Sequence, residues 1–167
     1  MPGTLIIGYG NPLRGDDRLG WQVATELTKC VDALISVVAV QQLTPELAEP
    51  VSDADLIIFI DACCDGEPGS WRCESIRQGS DTSLADAHCF TPASLLGYAS
   101  AIFNANPAAL LISAAVGSFD YSEALSPSVA AVVPQIVRFI CKTLESPCVP
   151  DYPFDVALRK VDTVGGQ

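Results

Sequence analysis

Residues Leu56 to Asp61 read Leu-Ile-Ile-Phe-Ile-Asp, apolar at every position until the closing acid. A strand with one wet face alternates apolar and polar side chains, so a run that is apolar on both faces belongs to a strand covered from both sides. That segment requires a sheet with structure packed above and below it. Ala108 to Val116 has the same character, and Thr4 to Tyr9 is a shorter apolar run that ends among glycines.

The segments between these runs have helical periodicity. Asp16 to Cys30 places Leu19, Val23, Leu27 and Cys30 on one stripe, the pattern of a helix laid on a sheet. Leu34 to Val40, rich in Val and Ile, is expected to be a second strand. Thr44-Pro45 is a helix start, a capping hydroxyl followed by proline at the first helical position, for a short helix to about Val51. Ser70 to Gln78 alternates weakly and suits a strand near an edge, antiparallel to its neighbours. Thr91-Pro92 opens a helix to about Asn104. Ser126-Pro127 opens the last helix, with Val129, Val132, Val133, Ile136, Val137, Ile140 and Leu144 as its stripe and Pro134 expected to kink rather than break it.

Buried strands alternating with amphipathic helices imply an α/β fold: a three-layer α/β/α sandwich around a mostly parallel, twisted sheet of about five strands, joined by right-handed crossovers. Residues 1–145 are expected to form a single domain, and 146–167, which hold three prolines and a closing Gly-Gly, a loosely ordered tail.

Composition narrows the function. The 167 residues carry nine Lys and Arg against 20 Asp and Glu, a formal charge of −11. Nucleic-acid binding draws on clustered basic residues, so no nucleic-acid partner is expected, whereas a cation or a metal is compatible. The apolar runs fall short of the ~20 residues that span a bilayer and no leader-like segment opens the chain, so no membrane association and a cytoplasmic location are expected. Seven cysteines without a repeated C-x-x-C argue against a disulfide framework, and most are expected to be buried thiols.

In open α/β sheets ligands bind beyond the carboxyl ends of the strands. Asp16 and Asp17 follow the first strand, Asp61 ends the third, and His88, the single histidine, precedes the Thr91 helix. One of Asp16 and Asp17 is expected to cap the helix that follows. The other, with Asp61 and His88, makes two carboxylates and an imidazole, a set suited to a borderline divalent metal with open positions. The glycine-rich segment Gly8 to Gly15 lacks the lysine of a P-loop and the spacing of a dinucleotide fingerprint, and the aspartates after it would repel phosphate. No G-x-S-x-G elbow is present, and only Cys89 has an evident base beside it, His88.

The stretch Gly8-Tyr9-Gly10-Asn11-Pro12-Leu13-Arg14-Gly15-Asp16-Asp17, with Gly20 after it, resembles the opening motif of the [NiFe] hydrogenase maturation proteases. The likeness extends to the strand ending in Asp61-Ala62, to His88 before a helix, and onward to about Leu144. It implies a phosphorylase/hydrolase-like sandwich and an endopeptidase that removes the C-terminal extension of the hydrogenase large subunit. It also implies that Asp17, Asp61 and His88 interact with nickel supplied by that precursor rather than permanently bound. Many relatives have glutamate at the first of these places, so Asp17 has a shorter reach, and many have glycine where this chain has Arg18. Gln41-Gln42-Leu43-Thr44-Pro45-Glu46-Leu47-Ala48 resembles the form serving bidirectional NAD(P)-linked hydrogenases.

The expected chemistry is polarisation of the scissile carbonyl or activation of a water by the metal, with Asp17 or Asp16 accepting the proton, in a protein that is a monomer. Two other functions fit the same residues. One is a nickel-sensing chaperone that binds the immature large subunit without cutting it; the other is a small-molecule hydrolase of similar fold.

Overall fold

The computed structural model describes residues 3–79, 90–117 and 119–145. Five strands, β1 (Thr4–Tyr9), β2 (Ile35–Val40), β3 (Leu56–Cys63), β4 (Trp71–Ile76) and β5 (Ala108–Ala115), form one sheet in the order β2-β1-β3-β5-β4. The first four in that order run parallel, and β4 pairs antiparallel with β5 at the edge. The α/β sandwich expected from the sequence is therefore observed, including its antiparallel edge strand.

Strand parity decides which helices cover which face. Ile6, Leu56, Ile58, Ile60, Leu110 and Ile112 share one core cluster with Leu19, Val23 and Leu27 of α1 (Leu19–Leu27) and Ile136 and Ile140 of α5 (Val133–Glu145). Leu5, Ile7, Ile57 and Phe59 point the other way. They pack with Ala48 and Val51 of α2 (Ala48–Ser52) and Leu95, Leu96 and Ala99 of α3 (Pro92–Phe103). The central strand β3 is buried on both faces because its residues are divided between these two clusters, as a run without polar positions demands. Thr91 and Ser94 make a reciprocal capping box at the start of α3, each side chain accepting the other's backbone N–H at 3.1 and 2.8 Å.

Three expectations need correction. The final helix is interrupted: α4 (Pro127–Ala130) stops before α5 begins, with residues 131–132 in a turn. Pro134 has no N–H to donate to the carbonyl four residues back, and its ring crowds that carbonyl, so the helix breaks instead of kinking. Pro127–Glu145 is long and apolar enough to cross a bilayer by length and composition. However, Val129, Val132, Val133, Ile136 and Ile140 are part of the protein core.

The helix expected from Asp16 is the second correction: it begins as a 3-10 turn over Gly15–Arg18, and neither Asp16 nor Asp17 caps it with its side chain. Third, among the described cysteines only Cys73 is buried; Cys30 and Cys64 are exposed, and all five, with Cys63 and Cys141, are free thiols.

Candidate functional site

The order of the strands selects a position on the sheet. From β1 the chain crosses through α1 to β2 on one side, then returns through α2 to β3 on the other. The carboxyl ends of β1 and β3 therefore flank the point where the winding reverses, the place at which open α/β sheets generally form a ligand crevice between connections that leave in opposite directions. Tyr9 is the last residue of β1, and Asp61 lies near the end of β3, one place beyond the paired Gly8 and Ile60.

Close packing around the first loop gives this crevice its shape. Gly8 on β1 meets Gly20 on α1, where a Cβ on either residue would collide with backbone: the Gly20 carbonyl oxygen in one case, that of Ile60 in the other. With no side chains between them, the start of α1 lies directly on the ends of β1 and β3. Gly10, at φ +146°, turns the chain away from β1, and a side chain there would strike the Asp17 carbonyl. Gly8, Gly10 and Gly20 are thus packing and turning residues.

Asp16 and Asp17 diverge on the 3-10 turn. Asp16 is completely buried, and its Oδ1 accepts from the Ser126 N–H at 2.7 Å. Its Oδ2 accepts from the Gly117 N–H at 3.1 Å and from the Ser126 hydroxyl at 2.8 Å. Asp16 thus ties the first loop to the end of β5 and the start of α4, and it does not open onto the crevice as a proton acceptor would. Asp17 is half-buried and its Oδ2 accepts from the Asn11 N–H at 2.8 Å, which holds it over the β1 end of the crevice.

Asp61 is drawn in on the opposite side. The Tyr9 hydroxyl donates to its Oδ2 at 2.9 Å. Burial pushes the Asp61 carboxyl up from 3.8 to about 6; the Tyr9 hydrogen bond and the Ala62 backbone N–H counter this, and the charge of Asp17 adds to the rise. The Tyr9 phenol is itself held well above its ordinary value, by burial first and then by the adjoining Asp61, so it stays a proton donor. A carboxyl raised by burial and by a second carboxylate nearby is one whose charged form a cation would stabilise.

Arg18 does not supply that cation. Its Nε donates to Gln22 Oε1 and its guanidinium to the Pro12 carbonyl, both at 3.1 Å, and it lies 5.1 Å from the centre of the Trp21 ring. Its backbone is ordinary right-handed helix (φ −64°, ψ −15°), a conformation any residue adopts, so a side chain is tolerated where many relatives of the resembled family have glycine. A groove of about 650 Å³ lined by Arg18, Gln22, Val133, Val137 and Arg138 lies between α1 and α5; neither Asp17 nor Asp61 lines it.

Of the residues expected to form the site, Asp61 lies within electrostatic reach of Asp17, and Asp16 is turned toward Gly117 and Ser126. His88 lies outside the described residues; α3, whose start it precedes in the chain, covers the sheet face to which Asp61 belongs by strand parity. Among the described residues no three His, Cys, Asp or Glu side chains are grouped to hold a metal ion. Tyr9 was not among the expected residues. Its signal is parity: Leu5, Ile7 and Tyr9 share a sheet face with Ile57, Phe59 and Asp61.

No protein-family model matches the chain, and no curated protein matches it. Solved structures do. Hydrogenase maturating endopeptidase HybD from Escherichia coli superposes with a TM-score of 0.69 at 18% identity, covering 84% of this chain and 91% of that one. The [NiFe] hydrogenase maturation protease HycI from Thermococcus kodakarensis gives 0.67 at 21% identity, covering 86% and 92%. A hydrogenase 2 maturation peptidase from a Thaumarchaeota archaeon gives 0.65 at 23%, covering 85% and 97%. The sandwich described above is therefore the fold of the solved hydrogenase maturation endopeptidases.

Proposed function

We propose that this chain is an endopeptidase that removes the C-terminal extension from the nickel-loaded large subunit of a [NiFe] hydrogenase, acting in the cytoplasm as a monomer. The observation that carries the reading is Asp61, partly buried at the carboxyl end of β3 beside the β1/β3 switch point and within electrostatic reach of Asp17. Nickel arrives with the substrate and marks it as ready for cutting. Asp17, Asp61 and His88 complete its coordination, so that the scissile peptide is placed only when the metal is already in the precursor.

Held by Asp17, Asp61 and His88, such a metal would supply Lewis-acid polarisation of the scissile carbonyl, and Asp17 would accept the proton of the attacking water. Asp17 suits this role better than Asp16, whose carboxylate is committed to Ser126 and Gly117. The sequence Gln41 to Ala48 further suggests a bidirectional NAD(P)-linked hydrogenase as the source of the substrate.

The experiment is incubation of the purified chain with nickel-loaded precursor, read by intact-mass spectrometry. Loss of a C-terminal peptide is expected with wild type, whereas Asp61→Ala and His88→Ala should fold and leave the precursor uncut. Full processing by either variant would remove these side chains from the mechanism. An unchanged precursor mass with formation of a stable complex would identify a nickel-sensing chaperone instead.

A further inference from the structure

We infer that Tyr9 is a positioning residue for Asp61, fixing that carboxylate so that it meets a metal ion in one orientation. The inference rests on the reading of Asp61 as a metal-interacting group and adds a residue to it.

The geometry begins with the strands. β1 and β3 are parallel neighbours in the register Gly8 to Ile60, so the next residues along, Tyr9 and Asp61, project from adjacent strands toward the same face of the sheet. The tyrosine ring packs against the cluster that contains Ile7, Phe59 and Leu95, and this packing sets where its hydroxyl can lie. From there it donates to Asp61 Oδ2 at 2.9 Å. An aspartate at the end of a strand would otherwise turn about two side-chain torsions, and losing that freedom on metal binding would weaken the ion's hold.

The phenol takes up one direction of approach to Oδ2 and thereby favours attachment of an ion through a single oxygen. No carboxamide or hydroxyl side chain among the described residues shares the Tyr9 bond to Asp61. Removing a hydrogen bond that orients a metal-binding carboxylate typically costs ~10–100-fold in metal affinity.

The test uses the full-length chain and cadmium ion alone, titrated calorimetrically against wild type, Tyr9→Phe, Asp61→Asn and the double variant. Phenylalanine keeps the ring packing and removes only the donor; Tyr9→Leu, smaller but still apolar, serves as the second probe. Loss of the hydroxyl is expected to weaken cadmium binding about 10-fold when Asp61 is present and by less than about twofold when it is already asparagine, because the tyrosine acts through the carboxylate. In the precursor assay Tyr9→Phe should raise KM, because the metal whose hold is weakened arrives with the precursor, with kcat changed less.

Equal weakening in both backgrounds, or none in either, overturns the inference. The outcome that sinks the underlying reading is different: wild type and Asp61→Asn binding cadmium equally well, whatever Tyr9 does.

Discussion

Asp16 and Asp61 are two acids withdrawn from water at the same rim of the sheet, and their surroundings could hardly differ more. Asp16 meets oriented donors from Gly117 and Ser126, more than a hundred residues away in the chain. Asp61 meets a phenol, one N–H of its own strand and a second carboxylate. Burial alone does not separate a structural acid from a reactive one; the balance between desolvation and the donors supplied does. Where donors are plentiful the acid becomes a staple between loops. Where they are few and another acid stands close, the charge remains to be satisfied by something from outside.

The largest effect expected from this contrast is at Asp16. Asp16→Ala leaves the N–H groups of Gly117 and Ser126 facing a cavity, and each buried donor so orphaned costs about 1–3 kcal/mol, so the variant should lose about 2–6 kcal/mol of stability. Urea unfolding measures this directly. A loss below about 1 kcal/mol would mean that water replaces the carboxylate, and the staple would cease to be what sets Asp16 apart.

Asp61 should respond with the opposite sign. Its carboxyl holds a proton up to about pH 6 in the folded chain, against an ordinary value of 3.8. Between those values the folded state binds more protons than the unfolded state. The stability associated with this group is therefore fully present below about 3.8 and is lost as pH rises through about 6. Asp61→Asn cannot ionise, so at pH 7 it should be more stable than wild type by about 1–3 kcal/mol, with the difference vanishing toward pH 4. Unfolding curves across that window check it; a variant that is less stable at pH 7 would show that the Tyr9 bond to the charged form outweighs burial.

This contrast also marks how far the amino-acid sequence could be read. The strands were legible because four short runs have the right apolar character, Ser70 to Gln78 alternates weakly with polar residues, and the connections between them contain Pro and Gly; each observed strand lies within a residue or two of its expected place. Asp16, Asp17, Asp61 and His88 are expected at the site because they follow apolar runs or precede a helix at the strand ends where open α/β sheets place ligands, and only the family resemblance singles out Asp17 from Asp16. What separates Asp16 from its neighbour was not legible. It depends on a 3-10 turn that points one side chain at Ser126 and the next at Asn11, and the partner of Asp16 is remote in the chain.

Tyr9 escaped for a related reason. Its parity with Asp61 can be counted on paper, but their contact also needs β1 and β3 to be neighbours in a given register, which no single strand reveals. The break before α5 was legible only as a disturbance at Pro134, since kink and break differ by how the rest of the helix packs.

The finest test of the contrast is at Asp17, where little stability is at stake. Asp17→Asn keeps a carbonyl oxygen to accept the Asn11 N–H, so stability should change by about 1 kcal/mol or less. It removes, however, the charge that helps to raise the Asp61 carboxyl. The Asp61 midpoint, followed by carbon NMR of the carboxyl in the metal-free protein, should therefore move downward, while burial keeps it above the ordinary range. A midpoint that does not move would mean the two carboxylates do not share one crevice. Asp61 would then differ from Asp16 only in lacking donors, and the case for a cation held between two acids would fail at its origin.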